Sequence, residues 1–146
     1  MKVISSQIVF QEVPNEISLS FLIAWCPLKC EGCHSKDKIE WKELTIQGLE
    51  DNIIKNKNFI SCVLFLGWEW EKENLIQMLK ICKEHWKKTC LYTWLLDVSN
   101  EIKENLDYLK VWPYIKMLWW LDSEKTNQKI YNVKTWESLN KYFIKK

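Results

Sequence analysis

Residues 60–93, ISCVLFLGWEWEKENLIQMLKICKEHWKKTCLYT, contain the pattern that decides the fold. Ile60–Leu66 is a continuous apolar run, typical of a strand buried on both faces of a parallel sheet. Glu71–His85 is amphipathic, with acidic residues in its first turn and lysines near its end, which predicts a helix. Thr89–Thr93 predicts the next strand. This order of strand, helix and strand indicates a parallel sheet with right-handed crossovers.

The flanking segments predict further elements of the same sheet. Two alternating stretches, Gln7–Val13 and Ile17–Ala24, are separated by the turn signal Pro14-Asn15, which favours an antiparallel pair. Thr45 is a candidate N-cap for a helix that runs to about Lys55. Three more elements are predicted after residue 93: a helix at Val98–Leu106 and short strands at Tyr108–Val111 and Ile115–Leu118.

Length and composition predict one globular domain spanning residues 1–146. Hydrophobic residues make up 47% of the chain, which is enough for a packed core. The net charge is only +2, so there is no electrostatic argument for binding nucleic acid or an anionic membrane. The sequence has neither a signal peptide nor an apolar run of membrane-spanning length. We therefore expect a soluble cytoplasmic protein.

Six cysteines without an export signal favour metal-binding or catalytic thiols over disulfides. Three of them form the array Cys26-Pro-Leu-Lys-Cys30-Glu-Gly-Cys33, which can wrap around one inorganic centre. A 4Fe–4S cluster held by three thiolates keeps one iron free for another ligand, and the spacing favours this interpretation. Zinc, or no metal, stays possible. A zinc site would need a fourth ligand, for which the candidates are His34, His85 and Cys90. Cys62, Cys82 and Cys90 are predicted to be core residues.

The CxxxCxxC spacing resembles the signature of the radical S-adenosylmethionine superfamily. The resemblance implies a 4Fe–4S cluster on Cys26, Cys30 and Cys33 whose open iron chelates the amino and carboxylate groups of S-adenosylmethionine. One electron from the cluster then breaks the sulfonium C–S bond and forms a 5′-deoxyadenosyl radical. The cofactors carry this chemistry, so no side chain is assigned a catalytic role. The implied fold is an α/β architecture, an incomplete (β/α) barrel with a mostly parallel, curved sheet.

A second motif, Gly67-Trp68-Glu69, follows the buried strand. It resembles the Gly-Gly-Glu stretch that lies along the methionine part of the cofactor in the superfamily. The resemblance implies cofactor contacts at two places. These are Gly32, Cys33 and His34 in the cysteine loop, and Gly67, Trp68 and Glu69 in the turn. Taken without the cysteine loop, Glu69 is explained equally well as a helix N-terminal carboxylate favoured by the helix dipole.

Within the superfamily, the chain resembles the activating proteins of anaerobic ribonucleoside-triphosphate reductases. The likeness rests on small size, on Gly32 before the third cysteine, and on Asn127-Gln128 in a late segment. It implies an oxidoreductase that forms a glycyl radical on the large reductase subunit in anaerobic metabolism, with an external one-electron donor. The alternatives are a radical enzyme acting on a small molecule or another glycyl-radical protein, and a non-enzymatic zinc module.

The glycine and tryptophan contents are abnormal. The chain has 10 Trp and 3 Gly, whereas average usage predicts about ten glycines in a chain of this length. Eight tryptophans fall where turns, strand ends or the family comparison favour glycine: Trp25, Trp68, Trp86, Trp94, Trp112, Trp119, Trp120 and Trp136. Trp41 and Trp70 are ordinary. One hypothesis is that the source organism reads one codon as glycine. The alternative is a genuinely Trp-rich protein.

Overall fold

A computed structural model describes residues 1–24, 40–113, 115 and 117–144. Within these residues the chain forms seven strands. They are β1 (Lys2–Val9), β2 (Ser18–Ile23), β3 (Lys42–Glu43), β4 (Cys62–Leu66), β5 (Lys88–Tyr92), β6 (Tyr108–Val111) and β7 (Lys129–Asn132). All seven belong to one sheet, in the order β3-β1-β2-β4-β5-β6-β7.

Three α-helices accompany the sheet in the described residues: α1 (Ile46–Asn56), α2 (Lys72–Glu84) and α3 (Asn100–Lys103). The predicted N-cap of α1 is confirmed, because Thr45 Oγ1 accepts a hydrogen bond of 3.0 Å from the Gly48 N–H. Ser99 caps α3 in the same way. Short 3-10 turns occur at Glu69–Glu71 and Asn140–Tyr142.

The centre of the sheet is parallel, as residues 60–93 predict. The chain runs from β4 through α2 to β5 and through α3 to β6, and each of these strands pairs in parallel with the next. β2 joins the other side of β4, also in parallel. The predicted antiparallel pairing of the two N-terminal strands is confirmed as well.

The expectation of an incomplete (β/α) barrel of the radical S-adenosylmethionine type, with a mostly parallel sheet, is wrong. β1 pairs antiparallel with both β2 and β3, and β6 pairs antiparallel with β7, so the sheet is mixed. The connection from β1 to β2, residues 10–17, is too short for a parallel crossover, which needs a dozen residues or more. The described part of the β6–β7 connection contains no helix, and the chain returns antiparallel. Three short helices are too few to cover a barrel.

Two element predictions near the C-terminus also differ from the structure. The described residues of Ile115–Leu118 form a turn rather than a strand, and the last strand is β7 instead. The helix predicted at Val98–Leu106 is reduced to the single turn of α3.

The core lies on both faces of the central strands. In β4, Val63 and Phe65 face the helices, whereas Cys62 and Leu64 pack on the opposite face. This is the two-sided burial that the apolar run predicts. Each such side chain contributes about 1.5–3 kcal/mol of hydrophobic stabilisation when fully buried.

A polar cluster joins the amino-terminal ends of the parallel strands. Glu16 Oε1 accepts hydrogen bonds from Lys88 Nζ at 2.6 Å and from the Tyr108 hydroxyl at 2.8 Å, and Oε2 accepts one from Ser61. Burial alone would raise the pKa of Glu16, but these hydrogen bonds and the Lys88 charge outweigh it and lower the pKa. Glu16 is therefore a buried anion whose hydrogen bonds hold the amino-terminal ends of the parallel strands together.

Candidate functional site

The carboxyl ends of β2, β4, β5 and β6 meet at one edge of the sheet, because these four strands run parallel. Their registers align four side chains in one row across the sheet, Leu22, Leu66, Tyr92 and Lys110. In parallel α/β sheets, ligands bind beyond the carboxyl ends of the strands. This edge is therefore the expected location of a ligand-binding site.

A cavity of about 760 Å³ lies over this row, on the face of the sheet that the helices do not cover. Its walls also include residues 10–15, Trp94, Gln128 and residues 142–144. This volume falls within the range of small-molecule sites, about 300–1,000 Å³. Mostly apolar walls with a few polar groups are typical of such sites.

Lys110 is a charged residue in the lining of the cavity and is only 2% exposed. Its ammonium group lies 5.1 Å from the ring centroids of both Tyr92 and Trp94. Cation–π contacts of this kind partly replace the water that a buried ammonium group loses. Sequence analysis missed Lys110, because its place in the cavity depends on the register of β6 against β5.

The turn Gly67–Glu69 lies at the same edge, directly after β4. Gly67 has a φ of 113°, and a Cβ atom there would lie 2.4 Å from Ile23 Cδ1. The backbone conformation therefore favours glycine at position 67, and a Cβ atom there would also force the Ile23 side chain to shift. Ile23 ends β2, and the described chain stops at Ala24. The turn thus packs against the point from which the chain continues into residues 25–39.

The cysteine array and its neighbours lie outside the described residues. This applies to the predicted cluster ligands Cys26, Cys30 and Cys33 and to the predicted cofactor contacts Gly32 and His34. Among the described residues, no group of three His, Cys, Asp or Glu side chains lies close enough together to hold a metal ion.

Glu69 has one satisfied and one unsatisfied carboxylate oxygen. Oε1 accepts a hydrogen bond of 2.7 Å from the Thr93 hydroxyl, just beyond β5. Oε2 is buried and has no hydrogen-bond partner. Burial raises the pKa of Glu69, and the Thr93 hydrogen bond opposes that rise only in part. A buried carboxylate oxygen without a donor can accept one from a ligand.

The Trp68 side chain points away from the cavity. It is 1% exposed and packs in the helix-side core, with its ring centroid 5.9 Å from that of Phe65. Its backbone has a φ of 90°, in the left-handed region. The indole therefore cannot make the predicted cofactor contact at position 68, and only the backbone of this residue is left to make it.

Asn127 and Gln128 connect the site to the last strand. Asn127 Nδ2 donates to the Pro113 carbonyl at 2.9 Å, and Gln128 Nε2 donates to the Trp112 carbonyl at 3.4 Å. The side-chain oxygens of both residues are buried and have no hydrogen-bond partner. Gln128 lines the cavity, so its Oε1 is a second unsatisfied acceptor at this edge.

The three scattered cysteines are core residues, as predicted. Cys62, Cys82 and Cys90 are fully buried free thiols. Burial raises the pKa of Cys62 to about 12 and also raises those of Cys82 and Cys90. Such thiols stay protonated at neutral pH and are therefore poor nucleophiles and poor metal ligands.

His85 lies at the edge of the sheet opposite Ala24, the last described residue before the cysteine array. It caps the C-terminal end of α2, just before β5 begins, and Nε2 lies 2.8 Å from Glu50 Oε1. That end of α2 is at the amino-terminal edge of the parallel strands, whereas residue 24 leaves β2 at the carboxyl edge. In the described residues His85 pairs with Glu50, and the array with which it would share a zinc ion lies outside these residues.

A comparison with protein-family models, curated proteins and solved structures finds no match to this chain. No helix in the described ranges has the length and apolar character needed to cross a membrane.

Proposed function

We propose that the protein is a radical S-adenosylmethionine enzyme, with a 4Fe–4S cluster held by Cys26, Cys30 and Cys33. The observation that supports this proposal is the close approach of Gly67 to Ile23, the last residue of β2. The second motif thus lies at the carboxyl edge of the parallel strands, beside the strand after which the cysteine motif follows in the sequence. The mixed sheet is compatible with this proposal, because only β2 and β4 need to be parallel neighbours.

Two separate features of the carboxyl edge would suit an amino-acid-bearing nucleoside ligand: the 67–69 turn, and the cavity, whose lining does not include that turn. The free Oε2 of Glu69 offers a buried acceptor for an ammonium group. Gly67 permits close backbone approach, and the cavity of about 760 Å³ is large enough for a small molecule. Bound at the array, the cluster would supply one electron for breaking the sulfonium C–S bond of S-adenosylmethionine. The apolar part of the row, Leu22 and Leu66, would exclude water from a reactive species.

We further propose that the substrate is a glycine of the large subunit of an anaerobic ribonucleotide reductase. This step rests on the small size, on Gly32 and on Asn127-Gln128. The abstracted hydrogen must come within a few ångströms of the 5′ carbon, so the partner's glycine must reach the carboxyl edge of the sheet. An external one-electron donor completes the reaction.

The decisive experiment is anaerobic purification and reconstitution followed by metal analysis. We expect about four irons per chain. Cys30→Ala should lose that iron, whereas the matched control Cys62→Ala should keep it, because Cys62 is a buried core thiol. Stoichiometric zinc without iron would overturn the proposal and favour the zinc module.

The substrate is tested separately by electron paramagnetic resonance with the reductase subunit, S-adenosylmethionine and a strong reductant. We expect a glycyl radical on the subunit when all components are present. Turnover of a small molecule without a radical on the subunit would refute the protein substrate while keeping the radical chemistry.

A further inference from the structure

Five tryptophans adopt backbone conformations that L-amino acids rarely take. The φ angles are 90° at Trp68, 61° at Trp86, 79° at Trp112, 64° at Trp119 and 57° at Trp136. Among the described residues, the only other non-glycine residue with positive φ is Asn15, and asparagine is the residue type that best tolerates this region.

Chance does not explain this distribution. A few per cent of non-glycine residues have positive φ, and bulky residues are genuine outliers there because Cβ approaches the following carbonyl oxygen. Nine of the ten tryptophans are described, so fewer than about one of them should lie in this region. Trp41 and Trp70, which the sequence indicates to be ordinary tryptophans, are not among the five. Trp94 and Trp120, which the sequence assigns to the glycine set, also lack positive φ.

The hydrogen bonds around Trp86 identify the residue that its position requires. The Lys87 N–H donates to the Cys82 carbonyl and the Trp86 N–H donates to the Lys83 carbonyl, both at 3.0 Å. With His85 as the C-cap of α2, these two bonds form a Schellman motif whose left-handed residue is Trp86. Glycine normally occupies that position. The Trp86 side chain is 94% exposed, so indole packing does not explain the choice of residue.

The same left-handed backbone conformation recurs at three positions elsewhere in the chain. Trp136 closes the turn after β7, where its N–H donates to the Asn132 carbonyl at 2.7 Å and the Asn132 N–H donates to the Glu137 carbonyl at 3.0 Å. Trp112 follows β6 and donates to the Leu95 carbonyl at 2.8 Å. Trp119 donates to the Ile115 carbonyl at 3.1 Å. Trp119 and Trp136 thus close local turns, whereas Trp112 directly follows the end of a strand.

Functional strain is the other explanation for residues in this region, but it predicts clustering. Strained residues that serve a mechanism gather at one active site or switch. Here Trp68 and Trp112 follow β4 and β6 at the carboxyl edge, and Trp119 lies in the connection between β6 and β7. Trp86 and Trp136 follow α2 and β7 at the opposite edge of the sheet. The shared property is the left-handed backbone and not a common location.

We infer that the natural polypeptide carries glycine at positions 68, 86, 112, 119 and 136, and that its gene encodes these residues with a codon that the source organism reads as glycine. The low glycine count of 3 supports this inference independently. Positions 25, 94 and 120 belong to the same set if they share that codon. The inference does not depend on the proposed function, since it rests on backbone conformation alone.

The test reads the coding DNA and the protein isolated from the organism that carries the gene. We expect one codon at the five positions and a different one at Trp41 and Trp70. The tryptic peptide of residues 58–72 contains both position 68 and position 70, so it carries its own control. Its fragment ions should place glycine at 68 and tryptophan at 70. The peptide of residues 135–141 should likewise carry glycine at 136.

Either of two results would overturn the inference. One is a single codon shared by Trp41, Trp70 and the five positions. The other is the residue mass of tryptophan at positions 68 and 136 in the isolated protein.

Discussion

Replacing Trp86 by glycine isolates the cost of a left-handed tryptophan, because this side chain is 94% exposed and loses almost no packing. An L-residue in the left-handed region costs about 1–2 kcal/mol relative to glycine. Glycine's larger loss of chain entropy on folding offsets about 0.5–1 kcal/mol of that gain. Trp86→Gly should therefore raise the free energy of unfolding by about 0.5–1 kcal/mol. For a chain of this size, this corresponds to an increase in Tm of about 1–4 °C.

Urea unfolding measures this difference, with two further variants as controls. Trp86→Ala removes the indole but keeps the strained Cβ, so it should lack the gain seen with glycine. Trp41→Gly should lower the midpoint, because position 41 has no positive φ and Lys2 Nζ lies 4.7 Å from the Trp41 ring centroid. All slopes should agree, since the surface exposed on unfolding hardly changes.

The prediction is refuted if Trp86→Gly and Trp86→Ala have the same urea unfolding midpoint. The gain would then come from removing an exposed indole and not from relieving the backbone. It fails equally if Trp86→Gly is less stable than the parent chain.

Two further predictions concern carboxylates with opposite pKa shifts. Glu16→Gln should lower the free energy of unfolding by about 2 kcal/mol at neutral pH, because hydrogen bonds to a charged partner are lost. The folded-state pKa of Glu16 is below its ordinary value of 4.5, so the stabilisation is present above pH 4.5 and is lost as pH falls through the folded pKa. Urea midpoints of variant and parent should converge there, and a constant gap down to low pH would contradict the assignment. Glu69→Gln should keep or raise stability at neutral pH, because burial raises the pKa of Glu69 and its ionised form costs stability above pH 4.5. The same variant should weaken S-adenosylmethionine binding in anaerobic calorimetry, and unchanged affinity would exclude Glu69 from the site.

The sequence predicted the centre of the fold because its signals there are local and strong. The run Ile60–Leu66, the amphipathic α2 and the Thr45 cap each depend on a few neighbouring residues. It missed β3, which has two exposed residues, and β7, in which only Ile130 is buried. Such edge strands have too few buried positions to produce a readable alternation. The barrel expectation failed because strand direction at the flanks depends on the connections between strands.

The candidate site was predictable only in its sequence-contiguous part. Gly67 and Glu69 follow a recognisable strand, so their place at the carboxyl edge could be anticipated. The place of Lys110 could not be anticipated, because its alignment in one row with Tyr92 and Leu66 depends on strand register. The left-handed tryptophans were predictable from the sequence only in part. Glycine depletion is visible in the composition, but the turn geometry that requires glycine appears only in the folded backbone.

The order of strands in the sheet also has a consequence for synthesis on the ribosome. From β5 to β7, each strand lies beside the strand that precedes it in the chain. Each of these strands is therefore synthesised after the strand with which it pairs. β4 itself pairs with β2, which can already be paired with β1. Only β3 travels back, to the outer edge of β1. Because translation delivers the N-terminal part first, the sheet can grow outward strand by strand without waiting for distant sequence.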